Sequence, residues 1–261
     1  MSPELERIVA LSRALGDPAR DLAILGEGNT SLRTGSGTML IKASGASLSS
    51  VTAADFIELE TASLRALLDD RTADDVAVAE TFARVEERTG RRPSVEAMLH
   101  AVCLETGGAR AVGHTHPVPV LALLCSPHAR ALATQMLFPD QIVVLGRRPL
   151  FVPYADPGLT LARRVRDELD AHLARHGEPP RVIYLGNHGL FALGQTPEQV
   201  LQITAMAVKA SRVLAGALAA GGASALADAE ADRIDTRPDE HYRREALARA
   251  EFAGSERTPD V

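Results

Sequence analysis

The sequence contains no tryptophan and only 3% aromatic residues, so its core has to be built mainly from Ala, Val, Leu and Ile. Cysteine is nearly absent. Cys103 and Cys125 each lie in an apolar run (Ala-Val-Cys-Leu and Leu-Leu-Cys-Ser). Two such residues exclude a disulfide-stapled scaffold and predict buried, reduced thiols. There is no excess of positive charge: 28 Lys and Arg against 34 Asp and Glu leave a net charge of −6. No general field therefore attracts nucleic acid or an anionic membrane, and an anionic substrate would need a local site. No stretch approaches the ~18 uninterrupted apolar residues of a membrane span. The opening Met1-Ser2-Pro3-Glu4-Leu5-Glu6-Arg7 lacks the basic, apolar, small-residue order of a secretory leader. The expectation is a soluble, cytoplasmic protein with neither nucleic acid nor membrane as partner.

What is present is an ordinary globular balance, 46% apolar and 24% charged residues over 261 positions, ample for one large α/β domain. Helical patterns run over 3–15, 53–58, 61–68, 73–89 and 94–106. In the last of these Val95, Met98, Leu99 and Val102 follow the i, i+3, i+4, i+7 spacing of a buried stripe. Further helices are expected at 117–125, from Pro157-Gly158 to about His176, and from Thr196-Pro197, a favoured N-cap and first-turn pair, to Gly221-Gly222. Strands are expected at 38–42, 109–114, 142–145, 149–153 and 181–185, the last with a hairpin partner at 190–193. Residues 25–33 read as a Gly/Ser/Thr-rich turn. Interleaved helices and strands with some adjacent strand pairs predict a single α/β domain, a mixed sheet with helices on both faces. The domain is placed at 1–222, followed by an extension over 223–261 that is helical around 238–252 and ends in a loose tail.

His114-Thr115-His116 is the sharpest feature. Residues i and i+2 at a strand end project to the same side, and Pro117 stops the strand from pairing further. His188 occupies a similar place, after an apolar strand and inside Gly186-Asn187-His188-Gly189. If the two strands are neighbours, three imidazoles meet with one position open, the arrangement of a catalytic zinc. Fe²⁺, Co²⁺ or Mn²⁺ would accept the same ligands. His100, His128, His172, His176 and His241 are assigned no such role.

Glu96, near the start of the 94–106 helix, is explained by the helix dipole alone. Next to a bound cation it would instead serve as a general base. Two turns offer backbone N–H groups and hydroxyls to an anion: Gly28-Asn29-Thr30-Ser31 and Lys42-Ala43-Ser44-Gly45, with Lys42 adding a point charge. Ser94 could add a hydroxyl at a helix start. Neither turn matches a P-loop or a dinucleotide fingerprint.

Taken in order, Gly28-Asn29-x-Ser31, Ser44-Gly45, Ser94-x-Glu96, His114-x-His116-Pro117, Pro153-Tyr154-Ala155 and Asn187-His188-Gly189 resemble the class II aldolase/adducin family over roughly residues 20–220. The resemblance implies a three-layer α/β/α domain around a largely antiparallel mixed sheet and a homo-oligomer, a tetramer in most members. It implies one Zn²⁺ per chain on His114, His116 and His188, Glu96 as acid/base, and a phosphate pocket made by Gly28, Asn29, Ser44, Gly45 and Ser94. The implied activity is cleavage of a ketose phosphate to dihydroxyacetone phosphate and a small aldehyde. A decarboxylase or epimerase acting on a sugar acid or sugar phosphate, and a non-catalytic adducin-like module, are the alternatives on the same scaffold. Lys42 as a Schiff-base nucleophile is the mechanistic rival. Val95 and Lys42-Ala43 depart from the Ser and Thr-Pro that many members carry. Residues 126–140 lack the tyrosine that one aldolase of the family supplies between subunits, which leaves the general acid unassigned.

Overall fold

The computed structural model describes residues 2–35, 37–239 and 242. Seven strands form one sheet in the order β3-β2-β1-β4-β7-β6-β5. They are β1 (Asn29–Thr34), β2 (Thr38–Lys42), β3 (Phe56–Glu60), β4 (Ala111–Thr115), β5 (Leu150–Val152), β6 (Val182–Leu185) and β7 (Gly189–Gly194). Every pairing is antiparallel except β5 with β6.

Strand residues alternate between two cores because successive side chains leave opposite faces of the sheet. Val112, Ile183, Leu185, Phe191 and Leu193 enter a core shared with α2 (Thr61–Asp69), α3 (Asp75–Thr89), α4 (Ala97–Glu105) and α8 (Leu159–His176). Ala111, Val182, Tyr184, Leu190 and Ala192 enter the other, with α1 (Pro3–Leu15), α5 (Val118–Leu124) and α9 (Pro197–Ala219). The result is the expected α/β/α sandwich. Two short helices, α6 (Ala131–Thr134) and α7 (Pro139–Leu145), lead towards the β5 edge, and α10 (Asp228–Thr236) packs on α7.

The caps follow the sequence signals. Thr196 accepts a hydrogen bond from Gln199 N–H ahead of Pro197, and α8 ends on the left-handed Gly177. α9 is long and apolar enough, by length and composition alone, to cross a membrane. Here Val200, Ile203, Ala207, Ala210 and Leu214 form its buried stripe against the sheet, the signature of a core helix.

Several expectations are corrected. Residues 29–34 form a strand, not a turn: Asn29, Thr30 and Ser31 are buried polar residues whose type hides the strand. Residues 53–58 are a single 3-10 turn (Ala53–Asp55) running into β3, and 142–145 belong to α7 rather than to a strand. Four consecutive apolar residues suit either state, and Pro139 at the first position of α7 settles it. The 94–106 helix starts only at Ala97 and is buried all round, while Val95 is exposed outside it. Cys103 is buried as expected, but Cys125, at the end of α5, is exposed. The helix expected at 238–252 falls almost wholly outside the described residues.

Candidate metal centre

The antiparallel pairing of β4 with β7 sets His114 opposite Phe191 and Thr115 opposite Leu190, so the end of β4 lies beside the start of β7. The β6–β7 turn places His188 there. Its backbone N–H donates to Leu185 O (3.1 Å) and Asn187 adopts the left-handed φ of 55° that closes so tight a reversal. Gly189 follows because no side chain fits: a Cβ there would lie 2.5 Å from His116 Cδ2 and 2.7 Å from Thr115 O. Glu96 arrives from the other side, on the residue just before α4. One ligand atom from each of Glu96, His114, His116 and His188 lies within 4.8 Å of all the others.

The hydrogen bonds around these rings define what the cluster can hold. His114 Nδ1 donates to Leu190 O (2.9 Å), which can only accept, and the ring stacks on Phe191 at 4.2 Å between centroids. His116 Nδ1 bonds the carboxylate of Glu27. With Nδ1 protonated on both neutral rings, both Nε2 atoms carry lone pairs. Yet they stand only 2.8 Å apart, and His114 Nε2 and His188 Nε2 lie 3.0 Å and 3.1 Å from Glu96 Oε1. Lone pairs converging at such distances need either extra protons or a shared cation. A part-buried set of three imidazoles and one carboxylate fits a divalent ion of the zinc type.

The ionisation behaviour agrees. Burial pushes the Glu96 carboxyl up, but the charge on His114 and hydrogen bonds from His114 and His188 outweigh it and hold the group well below the usual carboxylate range. Burial pulls His114 down, and Glu96 and the Leu190 carbonyl more than reverse that. His116 is pushed down to about 4 by burial and by His114 beside it.

The remaining expected residues divide into two groups. Asn29, opposite His114 in the β1–β4 pair, donates from Nδ2 to the Glu96 carboxylate and to Ser94 Oγ (3.3 Å), and its own Oδ1 is buried without a hydrogen-bond partner among the described residues. Gly28 lies against His114 O at a φ of 77°, where a side chain would collide. Gly28, Asn29 and Ser94 thus adjoin the cluster. Ser44 and Gly45 sit on an exposed turn tied to the chain before Ser94, with Ser44 N–H donating to Arg92 O (2.9 Å). Lys42 lies beneath that turn, only 1% exposed, and donates to Ala46 O (2.6 Å) and Ala43 O (3.3 Å). Burial holds its ammonium below the usual lysine range, although Glu96 and Asp55 pull the other way.

Three contributors were not foreseen. Glu27 carries a readable signal, an acid within the glycine turn directly before Gly28-Asn29. Phe191 and Leu190 carry none, because strand register alone brings them to His114. His100, given no role from the sequence, is fully buried and bonded through Nδ1 to Ser31 Oγ (2.7 Å).

Comparison with known proteins agrees with this architecture. The family described as Class II Aldolase and Adducin N-terminal domain matches residues 6–215. A solved L-fuculose 1-phosphate aldolase superimposes with a TM-score of 0.69 at 18% identity, covering 93% of this chain and 97% of that one. Among curated proteins, the uncharacterized oxidoreductase YuxG of Bacillus subtilis is 27% identical over 209 residues, 77% of this chain. A Nocardia farcinica protein described as a probable bifunctional methylthioribose-1-phosphate isomerase/methylthioribulose-1-phosphate dehydratase is 28% identical over 185 residues, 66% of this chain. The chain spans 28% of the length of each of these two curated relatives. With the family model spanning most of its length, this chain belongs to the class II aldolase/adducin family.

Proposed function

We propose that this chain is a cytoplasmic, metal-dependent aldolase that cleaves a ketose phosphate to dihydroxyacetone phosphate and a small aldehyde. The observation that carries the reading is the convergence of three imidazoles on a half-buried carboxylate that is itself braced by Asn29. His114, His116 and His188 would hold the ion, one Zn²⁺ per chain with Fe²⁺, Co²⁺ or Mn²⁺ as possible substitutes. The bound cation would supply Lewis-acid stabilisation of the enediolate charge.

The chain's own residues do the rest. Cleavage breaks the C3–C4 bond, leaving the electron pair on the dihydroxyacetone phosphate fragment as an enediolate and the C4 carbon as the aldehyde. The resting Glu96 carboxylate takes the proton of the C4 hydroxyl as that bond breaks and delivers it to C3 of the enediolate; in condensation it removes the proton from C3 and returns it to the C4 oxygen. Beside the bound cation Glu96 would rest as the carboxylate, the form needed to abstract. Asn29, itself bonded to Ser94 Oγ, keeps the second Glu96 oxygen aimed. Gly28, Asn29, Ser44, Gly45 and Ser94 form the phosphate pocket, with the exposed Ser44–Gly45 turn free to meet substrate.

A homo-oligomer, expected to be a tetramer, belongs to this reading. It is supported by the exposure of Ile24, Leu25, Val95 and Val118, each close in sequence to a site residue. Dehydration of a ketose phosphate is the second reading, favoured by the relative described as a dehydratase. It needs the same stabilised enolate but expels water instead of an aldehyde.

The test is product analysis on ketose phosphates with zinc-loaded protein, wild type beside Glu96→Gln. Release of dihydroxyacetone phosphate and an aldehyde, slowed roughly 10²–10⁴-fold in the variant with zinc retained, is the expected result. Loss of water without C–C cleavage would replace the aldolase with the dehydratase, and unchanged turnover in the variant would remove Glu96 from its role.

A further inference from the structure

We propose that Glu27 is a positioning residue that fixes the tautomer and ring orientation of His116 and thereby sets how tightly the centre holds its cation. This rests on the reading of the three histidines as ligands.

The three rings are not equally held. The His114 side chain is 0% exposed, stacked on Phe191 and tied to a strand carbonyl, whereas that of His116 is 18% exposed and lies beyond the end of β4. Packing therefore leaves the His116 ring the freer of the two. Its Nδ1 is bonded to Glu27 Oε2. A carboxylate can only accept, so the proton is fixed on Nδ1 and the lone pair of Nε2 is turned towards His114 and His188. An anionic acceptor also makes the imidazole a stronger electron donor than a neutral carbonyl would.

The local chain is built to aim this carboxylate. Glu27 Oε1 accepts from Ile24 N–H (3.1 Å), and Glu27 N–H donates to Ile24 O (3.1 Å), so the side chain is pinned within its own turn. His116 N–H donates to Leu22 O (2.9 Å), which binds the same loop to the residue whose ring it orients. Among the described residues three non-glycines adopt a positive φ: Asp21 (53°) and Leu25 (53°) in this loop, and Asn187 (55°) beside His188. For leucine that conformation is unfavourable, because its Cβ crowds the following carbonyl oxygen. Leu25 is 85% exposed, so its own packing does not offset the cost. The strain falls on the loops that present His116's partner and His188, where backbone strain tends to accompany function.

The experiment uses the full chain, stripped of metal and titrated with Zn²⁺ against a chromophoric chelator, for wild type, Glu27→Gln and Glu27→Ala. The melting temperature of each metal-free protein is measured alongside. Glu27→Gln keeps the size of the side chain and an acceptor for Ile24 N–H. It is expected to bind one Zn²⁺ per chain about 10–100-fold more weakly than wild type, with the metal-free melting temperature unchanged. Glu27→Ala is expected to lose at least as much affinity. Equal affinity in wild type and Glu27→Gln would overturn the proposal. So would a loss of affinity that merely tracks a fall in metal-free stability, because Glu27 would then be only a loop brace. Absence of Zn²⁺ binding in wild type as well would remove the ligand reading itself, and this proposal with it.

Discussion

Substituting Gly189 by alanine is the most direct test of how the sheet builds the metal centre. Gly189 opens β7 directly over His114 on β4 and His116 just beyond its end. The added methyl would lie 2.5 Å from His116 Cδ2, 2.7 Å from Thr115 O and 3.2 Å from His114 Cε1, where ordinary contact starts at 3.4 Å. The His116 ring could swing to relieve the first overlap. Thr115 O cannot move independently, because Thr115 is paired with Leu190 in the middle of a seven-stranded sheet. Either the β4–β7 pair opens at its end or the His116 ring is displaced from the convergence point. Overpacking of this kind costs about 1–3 kcal/mol. At ~2–4 °C per kcal/mol for a domain of this size, the metal-free melting temperature should fall by about 2–12 °C. A displaced ligand should also weaken Zn²⁺ binding, read by the chelator competition described above. A variant with wild-type melting temperature and wild-type Zn²⁺ affinity would refute the reasoning, since the crowding at Gly189 would then have no consequence.

Lys42→Met should destabilise the protein by about 1–3 kcal/mol in chemical denaturation, because Ala46 O and Ala43 O lose a charged donor. It should also weaken inhibition by inorganic phosphate if the turn above it meets the substrate anion. Burial and neighbouring positive charge hold His172 down at about 4, against about 6.5 for a solvated imidazole. The unfolded chain therefore takes up this proton first. Stability contributed by the neutral ring is intact above about pH 6.5 and is lost as pH falls towards about 4. His172→Gln should flatten the melting temperature over that window, and an unchanged slope would count against the assignment. Phe82→Ala, on α3 and 1% exposed in the core under α4 and α8, should cost about 3–5 kcal/mol by urea unfolding.

Much of the architecture was legible because local chemistry speaks for it. Ser2, Thr196-Pro197, Gly90 and Gly177 mark helix ends through capping groups and left-handed glycines that act within a few residues. The apolar runs at 109–114 and 181–185 announce central strands. The misreadings occurred where tertiary contacts override that chemistry. The polar residues opening β1 read as a turn, yet Thr30 is satisfied by Ser12 on α1, Ser31 by His100 on α4, and Asn29 by Ser94 and Glu96. None of these partners lies nearby in sequence.

The candidate site divides in the same way. His114 and His116 are recognisable as candidate ligands because a strand repeats every two residues, a property local to the chain. That His188 joins them, 72 positions after His116, and that Glu96 faces all three is decided only by the pairing of β4 with β7 and the packing of α4 on the sheet. Glu27 is the extreme case. Its local signal is no more than its place in the glycine turn before Gly28-Asn29, and its significance comes from one hydrogen bond to a residue 89 positions away. The sequence by itself determined which elements form and which side chains can donate to a metal, because those properties are local. Which donors meet was left to strand order and register, which depend on how the whole sheet buries its two faces.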